Sequence, residues 1–289
     1  MKEIVFVARD KKQIICSLWD NTNAPIGIVV IIHGMNDYVN RYDDFAKTLN
    51  KNRYIVFGAD NRAHGRTTKQ NKWGTTDGSI DIFADTVNDY VDMIKILNDT
   101  YNLPIFIIGY DYGSFITQAI LEKTKLCVGG ICMIGIAKYS KSMLWFARFV
   151  AWVSMKIYGP DRHTKLIEYL LPQNTTQYKK SKHSKIKIYD KNHNVIRHYS
   201  SGFYYSLFKN LVKVDYKICP ETPLLILSGG QDINGIHGRL AKTLYNAYSI
   251  YDLHKITLII YPDAQHDLLF GLEKNKVQND ILDFINKHV

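Results

Sequence analysis

The sequence predicts an α/β fold built on a mostly parallel sheet. Short apolar runs rich in β-branched residues alternate with amphipathic stretches along the 289 residues, which is typical of βαβ units. Two of these runs, 26–32 and 105–109, are continuously apolar, as expected of strands covered by helices on both faces. Stretch 80–99 instead carries its apolar residues at helical spacing. A hydrophobic fraction of 46% with 22% charged residues is ordinary for a globular protein with a substantial core.

The apolar runs and amphipathic stretches give an ordered set of predicted elements. The first two strands are short and close together, which favours an antiparallel pair ahead of the parallel series. The predicted strands are 4–7, 13–18, 26–32, 54–58, 105–109, 127–135, 223–228 and 256–261. The predicted helices are 41–50, 80–99, 114–123, 238–248 and 276–288.

The alternation stops after the sixth strand and resumes with the predicted strand 223–228. We therefore predict a sheet domain of residues 1–138 and 216–289 with a helical cap, 139–215, inserted into it. The net charge of +10 comes almost entirely from 141–217, which suggests a surface that meets something anionic. A solvated, lysine-rich insertion is the alternative. No motif for binding nucleic acid is present, so we expect no nucleic-acid partner.

An aromatic and apolar stretch, 143–153, lies inside the predicted cap with basic residues around it. It suits peripheral contact with an anionic membrane or the wall of an acyl-chain tunnel. Packing over the opening of the site is the simpler interpretation.

The four cysteines show no CxxC pairing, and three lie within or beside apolar runs, where cysteine behaves as a small hydrophobe. The first residues lack the apolar run and cleavage site of a signal peptide. These features predict a cytoplasmic location and give no reason to expect a metal bound by cysteines.

The segment Gly109-Tyr110-Asp111-Tyr112-Gly113 joins a predicted buried strand to a predicted helix. In such a turn the central residue presents its side chain above the sheet edge, and small residues on either side let the backbones pass closely. Asp111 is therefore the candidate nucleophile. An ordinary loop with two glycines is the alternative.

His33-Gly34-Met35 follows the predicted strand 26–32. A His-Gly turn in this position can offer a backbone N–H, that of Met35, to an oxyanion hole, with the N–H of Tyr112 as the second donor. We expect His33 to be structural and to hold the loop by hydrogen bonds.

Two later strand ends carry an acid and a histidine. Asp232 follows the strand 223–228, and His266 follows the strand 256–261. The order of elbow residue, acid and histidine is that of hydrolase triads. It predicts a triad of Asp111, Asp232 and His266.

With these motifs the chain resembles the monoacylglycerol lipase and lysophospholipase group of serine hydrolases. The resemblance covers most of the chain and is weakest in the cap. It implies an α/β-hydrolase fold, cleavage of carboxylic esters of glycerolipids, and no cofactor or metal. The resemblance to this family also extends to the segments 41–46, 60–67 and 104–109.

Asp111 stands where that family has serine, and Tyr110 and Tyr112 also depart from its Gly-His-Ser-Met-Gly. A carboxylate attacking an ester carbonyl would form a mixed anhydride while expelling an alkoxide, which is strongly uphill. We therefore expect a hydrolase for lipid-like carboxylic esters with reduced or altered catalysis, in which His266 directs water at the ester.

Two alternatives stay open. In the first, Asp111 attacks an sp3 carbon of an epoxide or a haloalkane, and water activated by His266 hydrolyses the resulting ester. In the second, the protein is a pseudoenzyme that binds a lipid-like ligand without turning it over. The retained Asp232 and His266 argue against the second.

Overall fold

The computed structural model describes residues 1–124, 127–136, 138–163, 167, 198–250 and 255–289. Elements named below belong to these ranges. Each predicted strand and helix has a counterpart in the structure, in the predicted chain order, including the strand at 223–228 and the helix that follows it.

One eight-stranded sheet organises the chain, in the order β1-β2-β4-β3-β5-β6-β7-β8. The pairs β1–β2 and β2–β4 are antiparallel and all others are parallel. This confirms the predicted α/β class with a mostly parallel sheet. The strands are β1 (Lys2–Val7), β2 (Gln13–Trp19), β3 (Gly27–Ile32), β4 (Tyr54–Ala59), β5 (Ile105–Tyr110), β6 (Gly130–Ile134), β7 (Leu224–Gly229) and β8 (Ile256–Tyr261).

Helices cover both faces of the sheet, and the side chains of its strands alternate between two cores. In β3, Ile28 and Val30 belong to one core while Val29 and Ile31 belong to the other, and all are fully buried. This is why the strand has no polar face. The helices are α1 (Asp43–Lys51), α2 (Ile82–Tyr101), α3 (Tyr112–Thr124), α4 (Lys141–Tyr158), α5 (Ser201–Leu211), α6 (Arg239–Ser249) and α7 (Lys274–Asn286).

Helices α4 and α5 lie between β6 and β7 in the chain, within the predicted cap. A hydrogen bond of 2.8 Å joins Ser154 Oγ of α4 to Ser201 Oγ of α5. Helix α5 is tied to the start of α2, where the Lys209 ammonium lies 2.7 Å from Asp81. Much of the predicted cap, 164–166 and 168–197, lies outside the described residues, and the division into core and cap stays a prediction.

The prediction that the cysteines of the apolar runs are small hydrophobes is wrong for Cys127. Cys127 and Cys219 form a disulfide, with their Cα atoms 5.4 Å apart, while Cys16 and Cys132 are buried free thiols. Cys127 lies in the loop before β6, and Cys219 lies in the loop before β7. Because neighbouring parallel strands begin at the same sheet edge, these two loops meet. The predicted strand 127–135 accordingly begins later, at Gly130.

Candidate active site

Asp111 occupies a sharp strand-to-helix turn between β5 and α3. Its φ is +49°, a left-handed conformation that aspartate tolerates better than most residues. Gly113 is needed on the helix side, since a Cβ there would lie 1.9 Å from the carbonyl oxygen of Ile32. On the strand side Gly34 packs against the turn, where a Cβ would lie 3.0 Å from Asp111 Cβ. Ser114 is one turn further on, with its hydroxyl donating to the Gly109 carbonyl, and is not at the apex.

Asp232 and His266 meet at the ends of β7 and β8. His266 Nδ1 lies 2.9 Å from Asp232 Oδ2, and the other carboxylate oxygen accepts the N–H of Asn234. Burial by itself would raise the pKa of Asp232, but the charge and hydrogen bond of His266 outweigh it and hold this pKa below its ordinary value. Nδ1 therefore carries a proton, and Nε2 faces the elbow.

The structure brings all three predicted triad residues together. His266 Nε2 lies 3.7 Å from Asp111 Oδ1, with 12% of the histidine and 15% of the aspartate side chain exposed. Burial disfavours a charged His266, but Asp232 and then Asp111 overcome this and raise its pKa to about 9. Burial also raises the pKa of Asp111, against the charge of His266 and two backbone hydrogen bonds. At neutral pH the histidine is held as imidazolium between two acids.

The two predicted oxyanion donors are already engaged. The N–H of Met35 donates to Asp111 Oδ2 at 2.9 Å, and the N–H of Tyr112 also donates to this carboxylate. Asp111 Oδ2 thus accepts the Met35 N–H that the oxygen of a substrate carbonyl would use, while Oδ1 turns toward His266.

Tyr199, just before α5, ties the predicted cap to this loop. Its hydroxyl accepts the N–H of Asn36 at 2.7 Å and donates to Nε2 of His64 at 2.8 Å. His64 can accept because its Nδ1 donates to the carbonyl of Arg62, and burial with the neighbouring His33 lowers its pKa to about 3. Sequence reasoning missed Tyr199, since nothing local distinguishes it among 20 tyrosines.

His33 makes loop hydrogen bonds of the kind predicted for it. It is fully buried; its Nε2 accepts the N–H of Asn61, and its Nδ1 lies 2.8 Å from the Gly34 carbonyl oxygen. Since Nε2 is an acceptor, Nδ1 is the protonated nitrogen. His33 is directed away from the elbow carboxylate and braces the loop.

Tyr110, the residue before Asp111, links the elbow to the histidine loop. Its hydroxyl donates to Asp267 Oδ1 at 2.6 Å, and the other oxygen of Asp267 accepts from Arg41 at 2.9 Å. Arg41 also stacks over the ring of Phe270 at 3.7 Å. This network holds Asp267, the residue next to His266, in place. Sequence reasoning missed it, since only Tyr110 lies within a recognised motif.

The family described as serine aminopeptidase S33 matches residues 23–273, which include the whole site. This chain belongs to that family. The matched residues include Asp111, Asp232 and His266, and the family is one of hydrolases.

Curated relatives of the chain include monoglyceride lipases. A monoglyceride lipase homolog of Monkeypox virus is 29% identical over 37% of this chain and 37% of its own length. Human monoglyceride lipase is 26% identical over 38% of this chain and 35% of its own. The chain thus spans about a third of the length of these curated relatives.

Solved structures share the fold over nearly the whole chain. A lipase in its open form superposes with a TM-score of 0.83 at 19% identity, covering 99% of this chain and 98% of that one. A soluble variant of the monoglyceride lipase of Saccharomyces cerevisiae, in complex with a substrate analog, gives 0.72 at 18% identity, covering 100% and 95%. The fold is therefore that of an α/β-hydrolase, as the sequence predicted.

Proposed function

We propose that this chain is a hydrolase of the monoglyceride lipase type, directed at lipid-like carboxylic esters, in which Asp111 has suppressed serine-type catalysis. The observation that carries the proposal is the pairing of an assembled Asp232–His266 couple with an elbow carboxylate that takes the oxyanion donors for itself. The names of the relatives support the ester and lipid class.

The elbow carboxylate limits ester hydrolysis in three ways. Asp111 cannot form a stable acyl intermediate, because its product with an ester would be a mixed anhydride. It competes with a substrate carbonyl for the N–H groups that would stabilise an oxyanion. It also helps to keep His266 protonated at neutral pH, so that Nε2 has no lone pair with which to activate water.

An apolar cavity beside the site supports the lipid-like substrate class. Its volume is about 420 Å³, and its walls include Tyr139, Leu144, Leu211 and Val214. Burial and then the charges of Asp111 and Asp232 raise the pKa of Tyr139, which indicates that this wall lies within electrostatic reach of the triad. The triad residues do not line this cavity, and we propose that an acyl chain held in it carries an ester that reaches the elbow.

A chain-length series of esters tests the proposal. We would measure hydrolysis of monoacylglycerols and p-nitrophenyl esters with acyl chains of about 4 to 14 carbons, a range suited to a cavity of this size. The proteins compared are the wild type, Asp111→Ser and Asp263→Ser, a control at an exposed acid. We expect slow turnover by the wild type and the control, and a marked rise in Asp111→Ser that is greatest for the longer chains. A rise confined to the shortest esters would contradict the lipid-like class.

A second candidate function is favoured by the orientation of the Asp111 carboxylate. Oδ1 is turned toward the site, while Oδ2 accepts from Met35. In this candidate, Oδ1 attacks an sp3 carbon as its bond to an epoxide oxygen or halide breaks, and an alkyl ester of Asp111 forms. The loss of the Asp111 charge lowers the pKa of His266, whose Nε2 proton passes to the opened epoxide oxygen or, when halide leaves, to solvent. The neutral ring can then take a proton from the water that attacks the carbonyl carbon of the ester.

Trapping the alkyl ester distinguishes this candidate. In His266→Gln, a long-chain terminal epoxide or 1-bromoalkane should add its mass to Asp111, as read by peptide mass spectrometry. The absence of an adduct, together with no turnover by the wild type, would remove the candidate. No turnover of any substrate by wild type or Asp111→Ser, with saturable binding of a lipid, would favour the pseudoenzyme.

We also propose that α4 contacts an anionic membrane surface. Four aromatic side chains of this helix, Trp145, Phe146, Phe149 and Trp152, are 42–58% exposed. Arg148 lies over the Trp145 ring at 5.0 Å, so a cation accompanies the aromatic face. Among the described residues, no helix is long and apolar enough to cross a membrane. Surface contact requires none.

Vesicle sedimentation tests the membrane proposal. The wild type should sediment with vesicles containing phosphatidylserine and much less with pure phosphatidylcholine. Trp145→Ala/Phe149→Ala should lose most of this binding, whereas Leu272→Ala, at an even more exposed apolar side chain before α7, should not. Equal binding by all three proteins would contradict the assignment to α4. The predicted cytoplasmic location stays a prediction, and the Cys127–Cys219 disulfide is more typical of oxidising compartments.

A further inference from the structure

Three backbone N–H groups around the elbow donate to the protein's own oxygens. Met35 and Tyr112 donate to Asp111, and Asn36 donates to the hydroxyl of Tyr199. These are the groups with which this fold would hold a carbonyl or carboxylate oxygen. A ligand oxygen that can only accept hydrogen bonds therefore finds these donors taken.

Two polar atoms of the triad, Asp111 Oδ1 and His266 Nε2, lie 3.7 Å apart, and their side chains are 15% and 12% exposed. A single oxygen can lie about 2.8 Å from both, which is an ordinary hydrogen-bond length. One proton is shared between these groups, so one of them donates and the other accepts. An oxygen that both donates and accepts satisfies the pair whichever atom holds the proton.

Charge adds a second selection. Asp111, His266 and Asp232 together carry a net charge of −1, whether the shared proton lies on Nε2 of His266 or on Asp111. The site therefore has a net negative charge in surroundings that exclude most water. A second carboxylate entering beside Asp111 would be repelled, whereas a neutral hydroxyl would not.

We propose that the elbow site binds the hydroxyl group of a long-chain alcohol, between Asp111 and His266, and rejects the carboxylate of a fatty acid of the same length. This inference rests on the proposed function and deepens it. It names the alcohol end of a lipid, such as the glycerol hydroxyl of a monoacylglycerol, as the group that the altered elbow recognises.

Binding of two matched probes tests this without turnover. Dissociation constants for 1-dodecanol and dodecanoate are measured at pH 7.5 by displacement of a fluorescent lipid. The wild type and the control Asp263→Ser should bind the alcohol at least about ten-fold more tightly than the carboxylate. In Asp111→Ser the preference should fall at least about ten-fold, because the N–H groups of Met35 and Tyr112 are released to bind the carboxylate.

Asp111→Asn provides a second variant that keeps the size of the side chain but removes its charge. It should bind dodecanoate more tightly than the wild type does. Equal binding of both probes by the wild type, or an unchanged preference in both Asp111 variants, would overturn the inference. The outcome for this inference is separate from that for the proposed function. If Asp111→Ser gains esterase activity but the wild type binds dodecanol and dodecanoate equally, only the hydroxyl site is contradicted.

Discussion

Two halves of the site are built from similar strand-end loops but differ in what their polar groups can do. In the acid–histidine half, formed by Asp232 and His266, a buried carboxylate orients the ring and leaves Nε2 facing the elbow. In the elbow half, formed by Met35, Asp111 and Tyr112, the donors are consumed by the elbow side chain itself. The first half retains an arrangement that could serve a serine nucleophile, and the second replaces it.

The difference shows that the frame of an active site and its chemistry can change separately. Asp111 has φ +49° and its neighbours pack as closely as an elbow requires, so the backbone accommodates the aspartate without rearrangement. What changes is the number of oxygens at the apex. A serine has one and leaves the N–H groups open, whereas an aspartate has two and uses one to close them.

The largest effect is expected from Gly113→Ala, which attacks the frame that both halves share. A Cβ at Gly113 would lie 1.9 Å from the Ile32 carbonyl, so the elbow must move and the free energy of unfolding should fall by at least about 3 kcal/mol. Gly78→Ala is the control, because a Cβ there meets open space and only the positive φ opposes it. Urea denaturation that gave equal losses for both would contradict the close packing of the elbow.

The second-largest effect is expected from the electrostatic interaction of His266 with Asp232 and Asp111, which joins the two halves of the site. The folded-state pKa of His266, about 9, lies above its ordinary 6.5. Protonation of this residue therefore stabilises the fold below pH 6.5, and that stabilisation is lost as the pH rises through 9. It should amount to about 3 kcal/mol.

Urea denaturation at pH 6 and pH 9.5 measures this contribution as the difference between the wild type and His266→Gln. In Asp111→Ser, the pH range over which protonation of His266 stabilises the fold should be narrower, because one of the two acids that raise the pKa of His266 is removed. A contribution from His266 that is the same with and without Asp111 would show that the two halves are electrostatically independent.

Tyr199→Phe tests the support of the elbow half alone. Loss of the hydroxyl leaves the buried N–H of Asn36 and Nε2 of His64 without this partner, which should lower the free energy of unfolding by about 2 kcal/mol. Tyr158→Phe, at a tyrosine that is 66% exposed, should change it by less than about 0.5 kcal/mol. In an Asp111→Ser background, Tyr199→Phe should reduce kcat more than it changes KM. Equal stability of both phenylalanine variants would contradict a bracing role for Tyr199.

The smallest effect is expected from Tyr110→Phe, which removes a link between the halves. Asp267 loses one hydrogen bond of 2.6 Å but keeps its contact with Arg41, so the free energy of unfolding should fall by about 1 kcal/mol. Thermal denaturation of Tyr110→Phe is compared with that of Arg41→Lys, which breaks the guanidinium contacts with Asp267 and Phe270 and should destabilise the protein more. A Tyr110→Phe loss larger than that of Arg41→Lys would reverse this ranking.

Much of the fold could be predicted because its signals are local. Apolar runs such as 26–32 predict buried strands, and the three strand-end motifs predict where Asp111, Asp232 and His266 meet, since parallel strands end at one edge of the sheet. Long-range pairings carry no such signal. The disulfide between Cys127 and Cys219 depends on two loops being neighbours, and the contact of Tyr199 with Asn36 depends on how the predicted cap folds back.

The state of the oxyanion donors could not be predicted either. Sequence reasoning identified Met35 and Tyr112 as donors but not that Asp111 would accept from both. That outcome depends on the side-chain torsion angles of one residue, which the motif does not specify.

The central claim is that Asp111 alone holds back a site that is otherwise assembled. Its most direct test is kcat/KM for a dodecanoyl ester, measured for the wild type, Asp111→Ser and Asp111→Ser/His266→Gln, with folding checked by circular dichroism. We predict that Asp111→Ser exceeds the wild type by at least about 100-fold and that the double variant loses the gain. A folded Asp111→Ser with no gain, or a gain that persists without His266, would contradict the claim.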